Sequence, residues 1–301
     1  MNYRIGGHYV RITAERGDEV LDKLLPSFKP FEMRDAILGE PFLTMSLQRS
    51  IKPVPQESLR HITDADTGNG VIKVERTTDG AYQFTICNIS GIPCALLQTT
   101  SDFSDCRCTI RGDFGTKRFA LNGAMMLVYA FRGALHDTLL IHASVVRHRG
   151  MAYAFTAASG TGKSTQVSNW LNNIEGCDLV NDDNPIVRYL DGKSVLYGSP
   201  WSGKTACYRN IIVPLGAIMK IERDTVNHVT PLSTLEAFGT LLTACSAIRT
   251  DEKVYGSLCN VVSKVVGSII MATLHCLPDA ASAEVCRCYI EEGEVRQENE
   301  K

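Results

Sequence analysis

The stretch Ala157-Ala158-Ser159-Gly160-Thr161-Gly162-Lys163-Ser164-Thr165 decides how this chain is read. It fits the pattern G-x-x-x-x-G-K-[ST] at Gly162, Lys163 and Ser164, with Ala157 standing where the first glycine is usual. Gly160 and Gly162 let the backbone curl until consecutive N–H groups point inward and form an anion nest. A helix starting near Lys163 aims its positive end at the same point. Lys163 supplies a full charge for β- and γ-phosphates, and the Ser164 hydroxyl is suited to ligate Mg²⁺. Ser159, Gly160, Thr161, Gly162, Lys163, Ser164 and Thr165 are therefore the candidate nucleotide-binding set, with ATP and Mg²⁺ as the expected cofactors. An apolar strand from Ala152 to Thr156 leads in and a helix from Thr165 to about Asn172 leads out, the context such a loop needs. Ala157 points to a variant form of the loop.

Downstream lies Leu179-Val180-Asn181-Asp182-Asp183-Asn184, an apolar lead-in ending in two carboxylates. Strand ends are where α/β proteins place their ligands. Adjacent aspartates repel each other unless a cation holds them. With a magnesium ion present, one carboxylate can hold metal while the other accepts a proton from a substrate hydroxyl. A solvated turn is the alternative, since Asp and Asn favour turns. Upstream, His142 sits on the strand before the loop's own strand, where a satisfied core histidine competes with a functional one. Beyond the acidic pair, the segment Gly198-Ser199-Pro200-Trp201-Ser202-Gly203-Lys204 predicts a tight loop. Lys204 and Arg209 are candidates to meet a phosphate, or ordinary surface cations.

Working outward, residues 1 to 125 read as a β-rich subdomain. Gly70 to Arg76 and Tyr82 to Ile86 alternate around the turn Thr78-Asp79-Gly80, which predicts a hairpin. Asp64 to Gly70 superficially fits a calcium loop but lacks the closing Glu in register. Phe119 to Ala134 is helix-compatible, Leu139 to Val146 is a strand, and Ser233-Thr234-Leu235-Glu236 is a capping box opening a helix. The apolar run Val261 to Cys276, interrupted by Lys264, is shorter than the ~20 residues of a membrane span and predicts a buried helix. Residues 291 to 301 form a charged tail expected to fray.

The 301 residues carry a formal charge of −2 and no basic stripe, which argues against nucleic acid or an anionic membrane as partner. The 11 cysteines are an odd number and the N-terminus lacks a signal-peptide core, so free thiols in a cytoplasmic protein are expected. Cys106/Cys108 and Cys286/Cys288 have the C-x-C spacing, which on a strand could share zinc; buried strand thiols are the plainer reading.

The order Ile141-His142-Ala143-Ser144, then Ser159 to Thr165, then Asp182-Asp183, together with Tyr197 to Lys204, resembles the phosphoenolpyruvate carboxykinase-like P-loop superfamily, most closely its HPr serine kinase branch. The resemblance covers about residues 125 to 225. It implies an α/β fold: a P-loop kinase core with a mixed β-sheet over residues 126–290, preceded by the β-rich subdomain. It also implies nucleotide phosphates at Gly160 to Thr165, metal at Ser164, Asp182 and His142, and catalytic parts for Asp182 and for His142, which would lie near the metal or the transferred phosphate. Asp183 would be the base and Lys163 a catalytic charge. The expected activity is Mg-ATP-dependent phosphate transfer to a hydroxyl on an unidentified acceptor: a protein or peptide serine, or a small metabolite. A non-catalytic nucleotide sensor and a carboxykinase are the alternatives, and homo-oligomer formation stays open.

Overall fold

The computed structural model describes residues 1–17, 19–33, 39–158 and 160–299, with backbone alone at 297–299. The chain forms two compact units, Met1–Leu135 with Ile248–Asp251, and His136–Ala247 with Glu252–Lys301. Both are mixed α/β.

The first unit contains strands β1 (Asn2–Ile5), β2 (His8–Ala14), β3 (Leu43–Leu47), β4 (Leu59–Asp66), β5 (Val71–Thr77), β6 (Tyr82–Cys87), β7 (Pro93–Thr99) and β8 (Asp105–Ile110). They form one mixed sheet in the order β1-β2-β3-β8-β7-β6-β5-β4. The hairpin expected from alternation is present: Ile72 faces Ile86 and Val74 faces Phe84 across β5 and β6. The Asp64 to Gly70 segment is the end of β4 and a turn, in which Gly68 N–H donates to Asp66. Helices α1 (Glu19–Leu24) and α2 (Phe114–Ala134) complete the unit. Asp113 caps α2 by accepting from Thr116 N–H, so the helix starts earlier than the apolar run alone indicates and spans the expected division at 125/126. Its Phe131 ring packs against Phe84 and Phe103, with centroids 6.1 and 5.5 Å apart.

The second unit contains β9 (Thr138–Leu140), β10 (Ala143–His148), β11 (Met151–Thr156), β12 (Asp178–Asp183), β13 (Ile186–Leu190), β14 (Lys193–Tyr197), β15 (Ile212–Arg223), β16 (His228–Pro231) and β17 (Ile270–Cys276). These form a mixed sheet, β12-β10-β11-β15-β14-β13-β9, with β17 also beside β15 and β16 beyond it. Helix α3 (Lys163–Asn173) and helix α6 (Ala280–Asn299) contribute to a core centred on Trp170, which is fully buried among Tyr153, Phe155 and Ile174. Helix α4 (Thr234–Ala244) carries the predicted capping box, and α5 (Glu252–Val266) buries Val254, Leu258, Val261, Val262 and Val265.

Four expectations are corrected. Val261 to Cys276 is two elements: α5 stops at Val266, and Ile270–Cys276 is β17, paired on both sides. A central strand is apolar without alternation, so periodicity alone could not separate it from a buried helix. Leu139 to Val146 is likewise broken at Ile141–His142 into β9 and β10, which pair with different neighbours. Cys286 and Cys288 lie on a helix, where residues two apart diverge, and one is buried while the other is exposed. The segment expected to fray continues α6 to Asn299, supported by Arg287 between Glu284 and Glu291. Cys106 and Cys108 are fully buried on β8, and burial raises both thiol pKa values. Among the described residues no helix is long and apolar enough to cross a membrane.

One buried contact in the first unit is open to direct measurement. The Tyr82 hydroxyl donates to Asp251, both residues being at most 5% exposed. Burial, with the Asp251 hydrogen bond and charge, pushes the Tyr82 phenol well above its ordinary pKa. A raised folded-state pKa contributes stability below the unfolded value of about 10 and loses it as pH rises past that point. Tyr82→Phe is expected to cost about 1–3 kcal/mol at neutral pH and to flatten the alkaline loss of stability, checked by urea unfolding at neutral and alkaline pH.

Candidate functional site

Strand polarity builds the site. β10 runs antiparallel to both β11 and β12, so its first residues lie beside the last residues of each. Ala143 is opposite Asp183, and Ser144 is opposite both Asp182 and Phe155. The glycine-rich segment from Ala157 leaves the end of β11, and the acidic pair ends β12. Three separated stretches of sequence thus converge at one end of the sheet.

Within the loop, Gly160 and Gly162 take φ of +75° and +135°, a region costly for residues with a Cβ. Ala157 is not among the described residues with positive φ, so the position normally held by glycine needs none here. Its carbonyl instead accepts from Lys163 Nζ at 3.3 Å. Lys163 begins α3 and is 9% exposed. Burial lowers its ammonium pKa, and the charges of Asp183 and Asp182 offset part of that shift. Arg223, at the end of β15, clasps the loop from outside: Nη2 donates to Gly160 O at 2.6 Å and Nε to Thr161 O at 3.2 Å. Ser159 lies outside the described residues.

Asp182 is 5% exposed and held by three neutral donors. Oδ1 accepts from Ser144 Oγ at 3.1 Å and Ser164 Oγ at 3.3 Å; Oδ2 accepts from Thr205 N–H at 2.9 Å. Asp183 is more open. Its Oδ1 lies 3.2 Å from His142 Nε2, and its Oδ2 accepts from Asn184 at 2.6 Å. Asn181, fully buried, accepts from the backbone N–H groups of Asp183 and Asn184 and donates to Ser199 and the Trp201 carbonyl. The chain following β14 is thereby fastened beneath the acidic pair. Gly203 is required by this packing: a Cβ there would sit 2.7 Å from the Asp182 carbonyl oxygen.

Lys163, Ser164, Asp182, Asp183 and His142 are brought together, as is the backbone of Gly160 to Thr165. Thr205 N–H binds Asp182, so the exposed Lys204 sits in the chain next to the pair. Arg209 is not brought there. Its guanidinium donates to Asp178 Oδ2 at 2.8 Å and to the Leu179 carbonyl, at the opposite end of β12. Arg147 grips the same carboxylate, so Arg209 is a strand-locking cation rather than a phosphate contact. The motifs do not single out Ser144, Asn181 or Thr205 as site residues. Their roles depend on strand register and on a loop contact, neither of which is written in a local pattern.

A cavity of about 820 Å³ opens beside the loop, bordered by His142, Thr156, Ala157, Lys220, Thr240 and Thr243. Its wall is rich in hydroxyls, and His142 faces both this space and Asp183.

No family model matches the chain, and no curated protein matches it. Among solved structures, it is similar to the structure of the Hpr(Ser) kinase/phosphatase from Coxiella burnetii, with 9% identity and a TM-score of 0.31, covering 53% of this chain and 98% of that chain. A similarity this weak carries no argument, and the functional reading rests on the geometry of the site.

Proposed function

We propose that the second unit is a P-loop phosphotransferase core that uses Mg-ATP to phosphorylate a hydroxyl. The observation that carries this reading is the convergence at one end of the sheet: Ser164 is 3.3 Å from Asp182 beside the glycine-curled loop, and His142 is 3.2 Å from Asp183. A site for nucleotide alone needs the loop. A second carboxylate paired with a histidine that borders a roomy polar cavity supports room for an acceptor beside the loop.

The residues fit the expected cofactors. Ser164 and Asp182 offer hard oxygen donors of the kind Mg²⁺ takes, and the remaining positions suit phosphate oxygens and water. Magnesium held there by Ser164 and Asp182 would supply positive charge against the phosphates. Imidazole is a poorer partner for this ion, so His142 is assigned to positioning Asp183. The loop amides and Lys163 hold the polyphosphate. Asp183 accepts the proton of the acceptor hydroxyl as its oxygen bonds to the γ-phosphorus, and the bond from γ-phosphorus to the bridging oxygen breaks with ADP leaving. Serine of a protein or peptide, or a small hydroxylated metabolite, is the acceptor class.

Lys163→Ala is expected to lower ATP turnover by ~10²–10³-fold, measured as ADP release with a panel of serine peptides and hydroxylated metabolites. The two aspartates have different surroundings, so their variants should differ. Asp183→Asn is expected to keep Mg-nucleotide affinity and lose transfer, whereas Asp182→Asn raises the Mg²⁺ concentration needed for binding. Calorimetry and turnover separate the two. Unchanged turnover in both variants removes the assigned chemistry, and absence of affinity for ATP and GTP with or without Mg²⁺ removes the whole reading. Tight binding without transfer to any acceptor would identify a nucleotide sensor, and phosphoenolpyruvate formed from oxaloacetate would identify a carboxykinase.

A further inference from the structure

A second cluster of ligating side chains lies away from the acidic pair, on the strands β15, β17 and β16. His275 on β17 is the register partner of Glu222 on parallel β15 and of His228 on antiparallel β16. Directly opposite residues present their side chains on the same face of a sheet. Asp224 is two residues beyond Glu222, and its N–H donates to the Cys276 carbonyl at 3.2 Å, so the ladder extends to it. A row of carboxylate, imidazole and imidazole therefore crosses three adjacent strands.

The atoms are close. Asp224, His228 and His275 each bring one ligating atom within 4.8 Å of the other two. His275 Nδ1 is 3.7 Å from Glu222 Oε2 and 3.9 Å from Asp224 Oδ2. The two imidazoles lie face to face, centroids 4.4 Å apart and planes 6° from parallel. The far nitrogen of each ring is also engaged: His228 Nδ1 lies 3.2 Å from the Val226 carbonyl and His275 Nε2 lies 3.1 Å from Thr230 Oγ1. A carbonyl can only accept, so this contact puts a proton on His228 Nδ1 and, in the neutral ring, leaves Nε2 as the nitrogen able to ligate. A histidine held through its second nitrogen by an oxygen is oriented and made more basic, the arrangement found behind metal-bound imidazoles.

We propose that Asp224, His228 and His275, with Glu222 in reach as a fourth donor, bind a divalent transition ion of the zinc class. Two imidazole nitrogens with carboxylate oxygens suit zinc, and do not suit magnesium or calcium. The site shares no residue with the glycine-rich loop and does not depend on the nucleotide reading. Its place is the rim of the cavity, since Glu222, Thr230 and His275 all border that space.

The test uses the full chain, stripped with chelator and titrated with Zn²⁺ by calorimetry and with Co²⁺ by visible absorption, without nucleotide. One ion per chain is expected, with the intense d–d bands of low-coordinate cobalt. His228→Ala and His275→Ala should each weaken binding by about a hundredfold or more, at or beyond the roughly 10–100-fold that follows when only a hydrogen bond supporting a ligand is lost. His228 is exposed, so its variant is expected to keep the wild-type melting temperature and circular dichroism. Cys288→Ser, which removes the exposed thiol, should leave binding intact. Absence of stoichiometric uptake, or uptake that survives His228→Ala and His275→Ala, overturns the proposal, as does uptake abolished by Cys288→Ser.

Discussion

The orientation of β10 between β11 and β12 is the constraint on which the candidate site depends. A strand antiparallel to both neighbours places its own beginning where each neighbour ends. The backbone ladders thus set where the glycine-rich loop, the acidic pair and the histidine start, and side chains such as Arg223 and Asn181 then hold them. A slip of one residue would turn Asp182 to the other face and away from Ser144 and Ser164. Paired ladders on both sides of β10 oppose such a slip, and the irregularity between Val145 and Val146 lies farther along the strand, beyond the Ser144–Asp182 pair.

Asp182 shows how the fold accommodates a negative charge that is almost wholly buried. Two hydroxyls and one backbone amide satisfy it, and these donors are all neutral. Hydrogen bonds to a charged acceptor are stronger than neutral ones and hold the carboxylate in a single orientation. The neighbouring Asp183 is treated differently, partly exposed and set against His142. The two carboxylates are adjacent in sequence yet occupy distinct environments, which is how like groups acquire unlike roles. Asn181 underlies both, since its side chain binds the backbone of Asp183 and Asn184 and ties it to the Ser199–Trp201 segment.

Local chemistry made part of this legible in the sequence. The glycines Gly160 and Gly162, the Asp182-Asp183 pair after an apolar lead-in, the β5–β6 hairpin and the Ser233–Glu236 capping box all declare themselves within a few residues. What stayed hidden depends on pairing across distance. Ser144 becomes a hydrogen-bond donor to Asp182 only through register, and Arg209 is drawn away from the site only because Asp178 lies beside it. Val261 to Cys276 could not be divided by hydrophobicity, because an inner strand and a buried helix show the same apolar surface. His228 and His275 are far apart in the chain and meet only because β16 and β17 pair.

The tetrapeptide Ile248–Asp251 belongs to the first unit although everything flanking it belongs to the second. The polypeptide therefore passes between units more than once, and no single scission yields two intact pieces. A fragment ending at Leu135 would lack Asp251 and leave the buried Tyr82 hydroxyl without that acceptor. Dissection of this protein by truncation would accordingly need a graft of the missing segment, or co-expression of complementary fragments, before either piece could be expected to fold as it does in the whole chain.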